Sequence, residues 1–125
     1  MKLALIQTVS GPDKRANIEL YTPLIRDAAA AGASLIVLPE AASQAFGQGR
    51  LDTQAEELDG EFASAMRALA DELGVTIVAG MFRPGDTHTV GAHTVGANTA
   101  GEKTYNRVRN TALITGGGVH RGYDK

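Results

Sequence analysis

The sequence predicts an α/β fold in which neighbouring strands run parallel, and three observations support this prediction. Two apolar runs, LIVL at Leu35–Leu38 and VTIVAGM at Val75–Met81, have the composition of strands that are covered on both faces. A segment with helical spacing of its apolar residues precedes each run. Because a helix returns the chain between parallel strands, two successive strand–helix–strand steps indicate a layered α/β structure.

The first strand and the first helix are predicted from the N-terminal residues. The apolar run Lys2–Gln7 (KLALIQ) ends in a Ser-Gly-Pro-Asp turn, which is typical of a buried strand followed by a loop. Asp13 can cap the helix that follows, Gly32 can adopt the left-handed conformation that ends it, and Pro23 is expected to bend it. The apolar stripe of this helix consists of Ile18, Tyr21, Ile25 and Ala28.

A second helix and a C-terminal hairpin complete the predicted elements. The second helix carries an apolar stripe and ends at Gly74. Its stripe consists of Phe62, Met66, Leu69 and Leu73. The segments Thr111–Thr115 and Val119–Tyr123 flank three consecutive glycines, a pattern typical of a β-hairpin. The second strand of this hairpin holds Lys125 at its end.

The composition changes between Arg83 and Arg109, where we predict a flexible repeat-containing segment at 84–109 inside the domain, either an exposed loop or a ragged hairpin tip. The five-residue sequence HTVGA occurs at His88–Ala92 and again at His93–Ala97. These residues have too little apolar bulk to form a core, so we expect 88–102 to be mobile and tolerant of change.

The overall composition favours small-molecule chemistry in one cytoplasmic domain. The 125 residues carry a net charge of −2, so no excess of positive charge promotes binding to nucleic acid or acidic lipid. The apolar start is too short for a signal peptide or a membrane span. The absence of cysteine excludes disulfides, thiolate metal sites and a cysteine nucleophile within this chain. No phosphate-binding glycine motif is present, which makes a nucleotide-binding domain a remote alternative.

Two residues are candidates for catalysis. Glu40 follows the strand in LIVLPE, at the carboxyl end of the sheet where ligands of α/β proteins bind. A partly desolvated carboxylate there has a raised pKa and can act as a general base, although a capping or surface glutamate fits the same position. Lys125 ends the predicted hairpin, where a fixed ammonium could stabilise an oxyanion; the alternative is a solvated side chain.

Other residues give weaker signals. Phe46, between Ala45 and Gly47, is a candidate substrate-binding wall after Glu40, and loop packing is an equally good interpretation. His88 and His93 have no acidic or cysteine partners at ligand spacing, so we predict no metal site and no cofactor. We interpret His120 as a surface or sandwich-edge residue.

Five segments resemble, in order and spacing, the nitrilase superfamily of carbon–nitrogen hydrolases. They are KLALIQ, GASLIVLPE, ELDGEFASAMRALADELGVTIVAGM, NTALIT and GGGVHRGYDK, and together they cover nearly the whole chain outside the repeats. The resemblance implies the N-terminal half of an α-β-β-α sandwich that assembles into homo-oligomers. It also implies hydrolysis of nitriles, amides or carbamoyl groups by a Glu-Lys-Cys set, with Glu40 as general base and Lys125 as the oxyanion-stabilising lysine.

The nucleophilic cysteine of this family lies beyond the lysine. The resemblance therefore implies that residues 1–125 are a partial carbon–nitrogen hydrolase domain that stops at the catalytic lysine and is inactive alone. The full protein is expected to hydrolyse small amides, preferably aliphatic monoamides, and less readily nitriles. The alternative is a non-catalytic binding or regulatory module built from half of the fold.

Overall fold

The computed structural model describes residues 1–90, 93–95, 98–100 and 103–125. There are two helices in the described residues. Helix α1 (Lys14–Ala30) follows the first strand and helix α2 (Glu61–Leu73) follows the second. The strands are β1 (Leu3–Leu5), β2 (Leu35–Val37), β3 (Thr76–Val90), β4 (His93–Val95), β5 (Asn98–Ala100), β6 (Lys103–Gly116) and β7 (Val119–Asp124).

The main sheet has five strands in the order β1-β2-β3-β6-β7. Strands β1, β2 and β3 are parallel, whereas β6 and β7 are added antiparallel, and β4 pairs only with β5. The α/β class, the parallel neighbours and the C-terminal hairpin predicted from the sequence are therefore confirmed.

Helix α1 begins and ends at the residues that the sequence indicates. The side chain of Asp13 accepts a hydrogen bond from the backbone N–H of Ala16 at 2.8 Å, which satisfies one of the free amides of the first turn. Gly32 follows the C-cap with a φ of +96°, a conformation that glycine adopts without strain. Pro23 lies inside the helix, which continues to Ala30.

The core lies between the two helices and one face of the sheet. Side chains from β2, β3 and β6 meet the apolar stripes of α1 and α2, as the helical spacing in the sequence predicted. Its fully buried members include Tyr21, Ile25, Ile36, Phe62, Met66, Ile77, Met81 and Leu113.

The start of α2 is stabilised by Glu56, a residue that the sequence did not single out. Its carboxylate accepts hydrogen bonds from the backbone N–H groups of Phe62 and Ala63 at 2.9 and 3.0 Å. The Nζ of Lys14 lies 2.7 Å from the same carboxylate. A Cβ at Gly60 would come within 2.3 Å of Glu56 Oε2, so the glycine leaves room for this charged cap.

The opposite face of the sheet carries apolar side chains that no described helix covers. Leu5, Val37, Val78 and Ile114 form one row across it, because the strand registers place them side by side. Leu5 is 72% exposed and Ile114 is 38% exposed. The described residues thus provide a single helical layer on one side of the sheet. None of their helices has the length and apolar character needed to cross a membrane.

We expect the 125-residue chain to self-associate or aggregate in isolation, because a contiguous apolar surface of this kind is seldom left in water. Sedimentation velocity across a concentration series would measure the effect. Leu5→Glu, at the β1 edge of the open face, should shift the distribution towards monomer, whereas Leu20→Glu on α1 should not. A cooperative unfolding transition of a monomer at all concentrations would contradict this expectation.

Strands β3 and β6 extend beyond the main sheet as a long two-stranded arm. Pairing continues past a register shift between Pro84 and Thr87, and reaches Val90 opposite Lys103. Over the described residues this pairing is that of a hairpin rather than an open loop, because alternating β-branched residues can form a ladder without a core of their own. Residues 91, 92, 96, 97, 101 and 102, including parts of both HTVGA copies, lie outside the described residues. The mobility expected for 88–102 stays a prediction.

Candidate active site

Glu40 lies in a turn that crosses directly over the sheet. The turn follows β2 and passes over Gly80 of β3, where an added Cβ would come within 2.5 Å of the Ala41 nitrogen and 2.7 Å of the Glu40 Cα. The N–H of Gly80 donates to the carbonyl of Pro39 at 3.2 Å, and the N–H of Ser43 donates to the carbonyl of Gly80 at 3.1 Å. The missing side chain at Gly80 therefore allows the backbone around Glu40 to be fixed against the strand.

The segment after Glu40 is anchored to α1 by Asn17. This side chain is 2% exposed, and its Nδ2 donates to the carbonyls of Gly11 and Ser43, both at 2.9 Å. Its Oδ1 accepts from the N–H of Gly11 at 2.8 Å. Ala41 has a φ of +59°, which is unusual for a residue other than glycine, and these contacts help to hold it. The sequence signal for this anchor is the position of Asn17, which lies one helical turn before Tyr21 on the buried face of α1.

The structure brings Lys125 to Glu40 although 85 residues separate them. The N–H of Lys125 donates to the carbonyl of Asn110 at 2.8 Å, which extends the pairing of β7 with β6. Its Nζ lies 2.9 Å from Glu40 Oε1. The two catalytic candidates predicted from the sequence are thus in direct contact. Asn110 was not predicted, and its Nδ2 donates to the same oxygen at 2.7 Å.

The pKa of Glu40 is lowered from its ordinary value, first by the hydrogen bond from Lys125, then by that from Asn110, and then by the charge of Lys125. The raised pKa predicted from the sequence is therefore wrong for this chain. Desolvation would raise it, but the side chain is 50% exposed, so the two donors have the larger effect.

The residue before Lys125 is fixed on the other side of the sheet. Asp124 accepts hydrogen bonds from Thr111 Oγ1 at 2.7 Å and from Arg83 Nη1 at 3.2 Å. The hydrogen bond from Thr111 is the main cause of a lowered pKa of Asp124, and the charge of Arg83 adds to it. Arg83 also binds Glu57 at 2.9 Å. These contacts hold the end of β7, and with it the backbone of Lys125.

Two small recesses meet at Glu40. One has a volume of about 170 Å³ and is bordered by Asn110 and Lys125. The other, of about 230 Å³, is mainly apolar and is bordered by Val9 and Phe46. The ring of Phe46 packs edge-on against Phe82 of β3, with centroids 5.3 Å apart, and this contact helps to fix its position. The structure therefore places Phe46 beside Glu40.

His120 is half-buried on β7, the edge strand of the main sheet, so the edge position fits better than an exposed surface position. Its Nε2 donates to the carbonyl of Leu58 at 2.6 Å, and its Nδ1 lies 2.8 Å from Thr115 Oγ1. Through these two contacts the imidazole links β7 to Thr115 of β6 and to the loop before α2, which contains Leu58. Among the residues that the structure describes, no three His, Cys, Asp or Glu side chains converge as a metal site.

Comparison with known sequences identifies one family. The sequence profile of the carbon-nitrogen hydrolases matches residues 2–114. A hydrolase of Mycobacterium tuberculosis is 39% identical over 112 residues, which cover 86% of this chain and 40% of that protein. An omega-amidase of Xenopus laevis is 32% identical over 79 residues, which cover 63% of this chain and 29% of that protein. The chain thus spans less than half the length of these relatives.

Comparison with solved structures gives the same architecture. A CN-hydrolase superfamily protein of Xanthomonas campestris superposes with a TM-score of 0.71 at 23% identity, covering 98% of this chain and 39% of that one. An amidase of Nesterenkonia sp. superposes with a TM-score of 0.65 at 22% identity, covering 100% of this chain and 42% of that one. The prediction of a partial nitrilase-type fold is confirmed.

Proposed function

The chain belongs to the carbon–nitrogen hydrolase family, and on that premise we propose that it is part of an amidase-like enzyme that hydrolyses small amides. The observation that carries this proposal is the contact of 2.9 Å between Lys125 Nζ and Glu40 Oε1 at the carboxyl edge of the sheet. A carboxylate and an ammonium held together there can supply a general base and a stabiliser of negative charge.

In the proposed reaction, Glu40 takes the proton of a cysteine thiol and the thiolate attacks the amide carbon. Lys125 stabilises the negative charge that develops on the carbonyl oxygen. Glu40 returns the thiol proton to the amide nitrogen, so that ammonia leaves as the carbon–nitrogen bond breaks. Glu40 then removes a proton from water, whose oxygen attacks the thioester carbon, and passes that proton to the leaving sulfur. This step releases the acid and restores the thiol. The 125 residues contain no cysteine, so we place the nucleophile in polypeptide outside them. An active-site cysteine in the amidase of Nesterenkonia sp. supports this assignment.

The lowered pKa of Glu40 favours the ionised form that accepts the first proton, but it also limits the strength of Glu40 as a base. The carboxylate is ionised near neutral pH, so it is ready to accept a proton. A low pKa also makes it a weak base. Burial of Glu40 beneath the remaining polypeptide and the substrate would raise its pKa towards the operating pH, because desolvation disfavours the charged form.

The apolar recess beside Glu40 favours a short aliphatic acyl group. Its border includes Val9, Ala45 and Phe46, which offer apolar contacts to such a group. The three Xenopus relatives that carry the name omega-amidase support a small amide over a nitrile.

Replacement of Lys125 by alanine tests the proposal, in the protein that continues beyond this residue. We expect ammonia release from small aliphatic amides to fall by about 10²–10³-fold, as for loss of other oxyanion-stabilising donors. Lys2→Ala is the matched control, because Lys2 Nζ donates only to a carbonyl at the end of α1 among the described residues. Circular dichroism should show both variants folded. Undiminished turnover in folded Lys125→Ala would refute the assigned role.

A further inference from the structure

The two hydrogen-bond donors at Glu40 converge on one of its oxygens. Asn110 Nδ2 lies 2.7 Å from Oε1, and Lys125 Nζ lies 2.9 Å from the same atom. In the part of the chain that the structure describes, no side chain donates to Oε2. The carboxylate therefore has one oxygen that is held and one that is open.

Asn110 is well placed to hold this oxygen because its backbone lies inside the sheet. It is paired with Phe82 of β3 on one side, and its carbonyl accepts the N–H of Lys125 on the other. Glu40, in contrast, is on a turn, and its side chain is half exposed. The rigid partner in this contact is therefore the asparagine, and the carboxylate is the group that is oriented.

The amide oxygen of Asn110 is not stabilised by this arrangement. Its Oδ1 is buried and has no hydrogen-bond partner in the described residues. Reversing the amide would not help, because it would bring Oδ1 against the carboxylate oxygen. Unpaired buried polar atoms are unfavourable, and proteins tolerate them mainly where a site requires a particular group.

Lys125 alone could not keep the carboxylate oriented throughout the proposed reaction. Its ammonium has to interact with the oxyanion when that charge develops, and its contact with Glu40 then weakens. The amide of Asn110 is neutral and has no other acceptor among the described residues, so it can remain on Oε1 at every step.

We propose that Asn110 is a positioning residue that holds Oε1 of Glu40, so that Oε2 is the atom that accepts the proton of the nucleophile and later that of water. This inference rests on the proposed function, since it assumes that Glu40 is the general base. It adds a residue to the site and assigns separate roles to the two carboxylate oxygens.

The proposal predicts a change in pH dependence. Lys125, from the end of β7, is the charged group that faces Glu40 among the residues lining the two recesses; the others are neutral. The hydrogen bond from Asn110 contributes to the lowered pKa of Glu40, so its removal should raise that pKa. Because the base must be ionised, the acidic limb of kcat/KM should move to higher pH.

The experiment compares Asn110→Ala, Asn110→Asp and Asn106→Ala in the protein that continues beyond Lys125. Asn110→Ala should lower kcat by about 10- to 100-fold and move the acidic limb to higher pH, with little change in KM. Asn110→Asp keeps the volume but places a second carboxylate at Glu40, so its limb should move further. Asn106→Ala is the control, since it removes an asparagine–Asp52 hydrogen bond from the same strand away from the site.

The possible outcomes distinguish failure of the positioning role of Asn110 from failure of the proposed function. A fall in kcat that is uniform across pH, or wild-type kinetics in both Asn110 variants, would overturn the positioning role. If Asn110→Ala does not fold, the isosteric Asn110→Asp decides by the same pH criterion. Turnover in Glu40→Gln would instead refute the proposed function itself. An inactive Glu40→Gln together with an unchanged limb in the Asn110 variants would refute this inference alone.

Discussion

The 125-residue chain on its own is expected to release no ammonia from any amide or nitrile, and the protein that continues beyond Lys125 is expected to do so. The covalent step needs a thiolate, and the 125 residues contain no cysteine. Glu40 and Lys125 could polarise a carbonyl, but they lack the group that forms the thioester. The measurement is ammonia release from a panel of small aliphatic amides at high protein concentration.

The matched control is the continuing protein with its nucleophilic cysteine replaced by alanine. It supplies the remaining fold without the thiol, so it separates loss of the nucleophile from loss of the surrounding pocket. Ammonia release by the cysteine-free 125-residue chain would contradict the proposed mechanism. Amide binding without turnover by the continuing protein would favour the non-catalytic binding module.

Replacement of Glu40 by glutamine should lower turnover of the continuing protein by about 10³-fold or more. A positioned general base typically contributes about 10²–10⁴-fold, and Glu40 is proposed to act twice, on the thiol and on water. Glutamine preserves the size of the side chain but cannot accept either proton. Single-turnover kinetics should show that acyl-enzyme formation is slow, because the thiol is no longer activated.

The control for this variant is Glu72→Gln, which neutralises an exposed glutamate of α2 that binds Arg26, away from Glu40 and Lys125. It should fold and retain nearly full turnover, since an exposed ion pair contributes little to stability. Circular dichroism should show that Glu40→Gln is folded as well. Near-normal ammonia release by a folded Glu40→Gln would show that another group is the base.

Local sequence signals were sufficient for the helices and for the strands of the main sheet, and they placed Glu40 after β2. The cap at Asp13 and the glycines at 32 and 74 determine helix ends through contacts within a few residues, so they can be recognised in the sequence. The position of Glu40 after a buried strand placed it at the carboxyl edge by a rule that holds for parallel sheets in general.

The partners of the site could not be predicted in the same way. Asn110 reaches Glu40 across 70 residues, through the register of β6 with β3, which no local pattern specifies. The cap from Glu56 likewise depends on the path of a loop. The pKa of Glu40 was assigned the wrong direction because the sequence indicates neither how exposed a side chain is nor which donors approach it.

The position of Lys125 on the outermost strand has a consequence for the lifetime of the site. Within the described residues β7 pairs only with β6, and the last of these backbone hydrogen bonds is the one from Lys125 to Asn110. Edge strands open locally at a free energy below that of global unfolding. Fraying of this terminal hydrogen bond would separate the ammonium from the carboxylate while the helices and the parallel strands stay folded. The fraction of molecules in which Lys125 contacts Glu40 would then follow a local opening equilibrium, which amide hydrogen exchange at Lys125 reports directly.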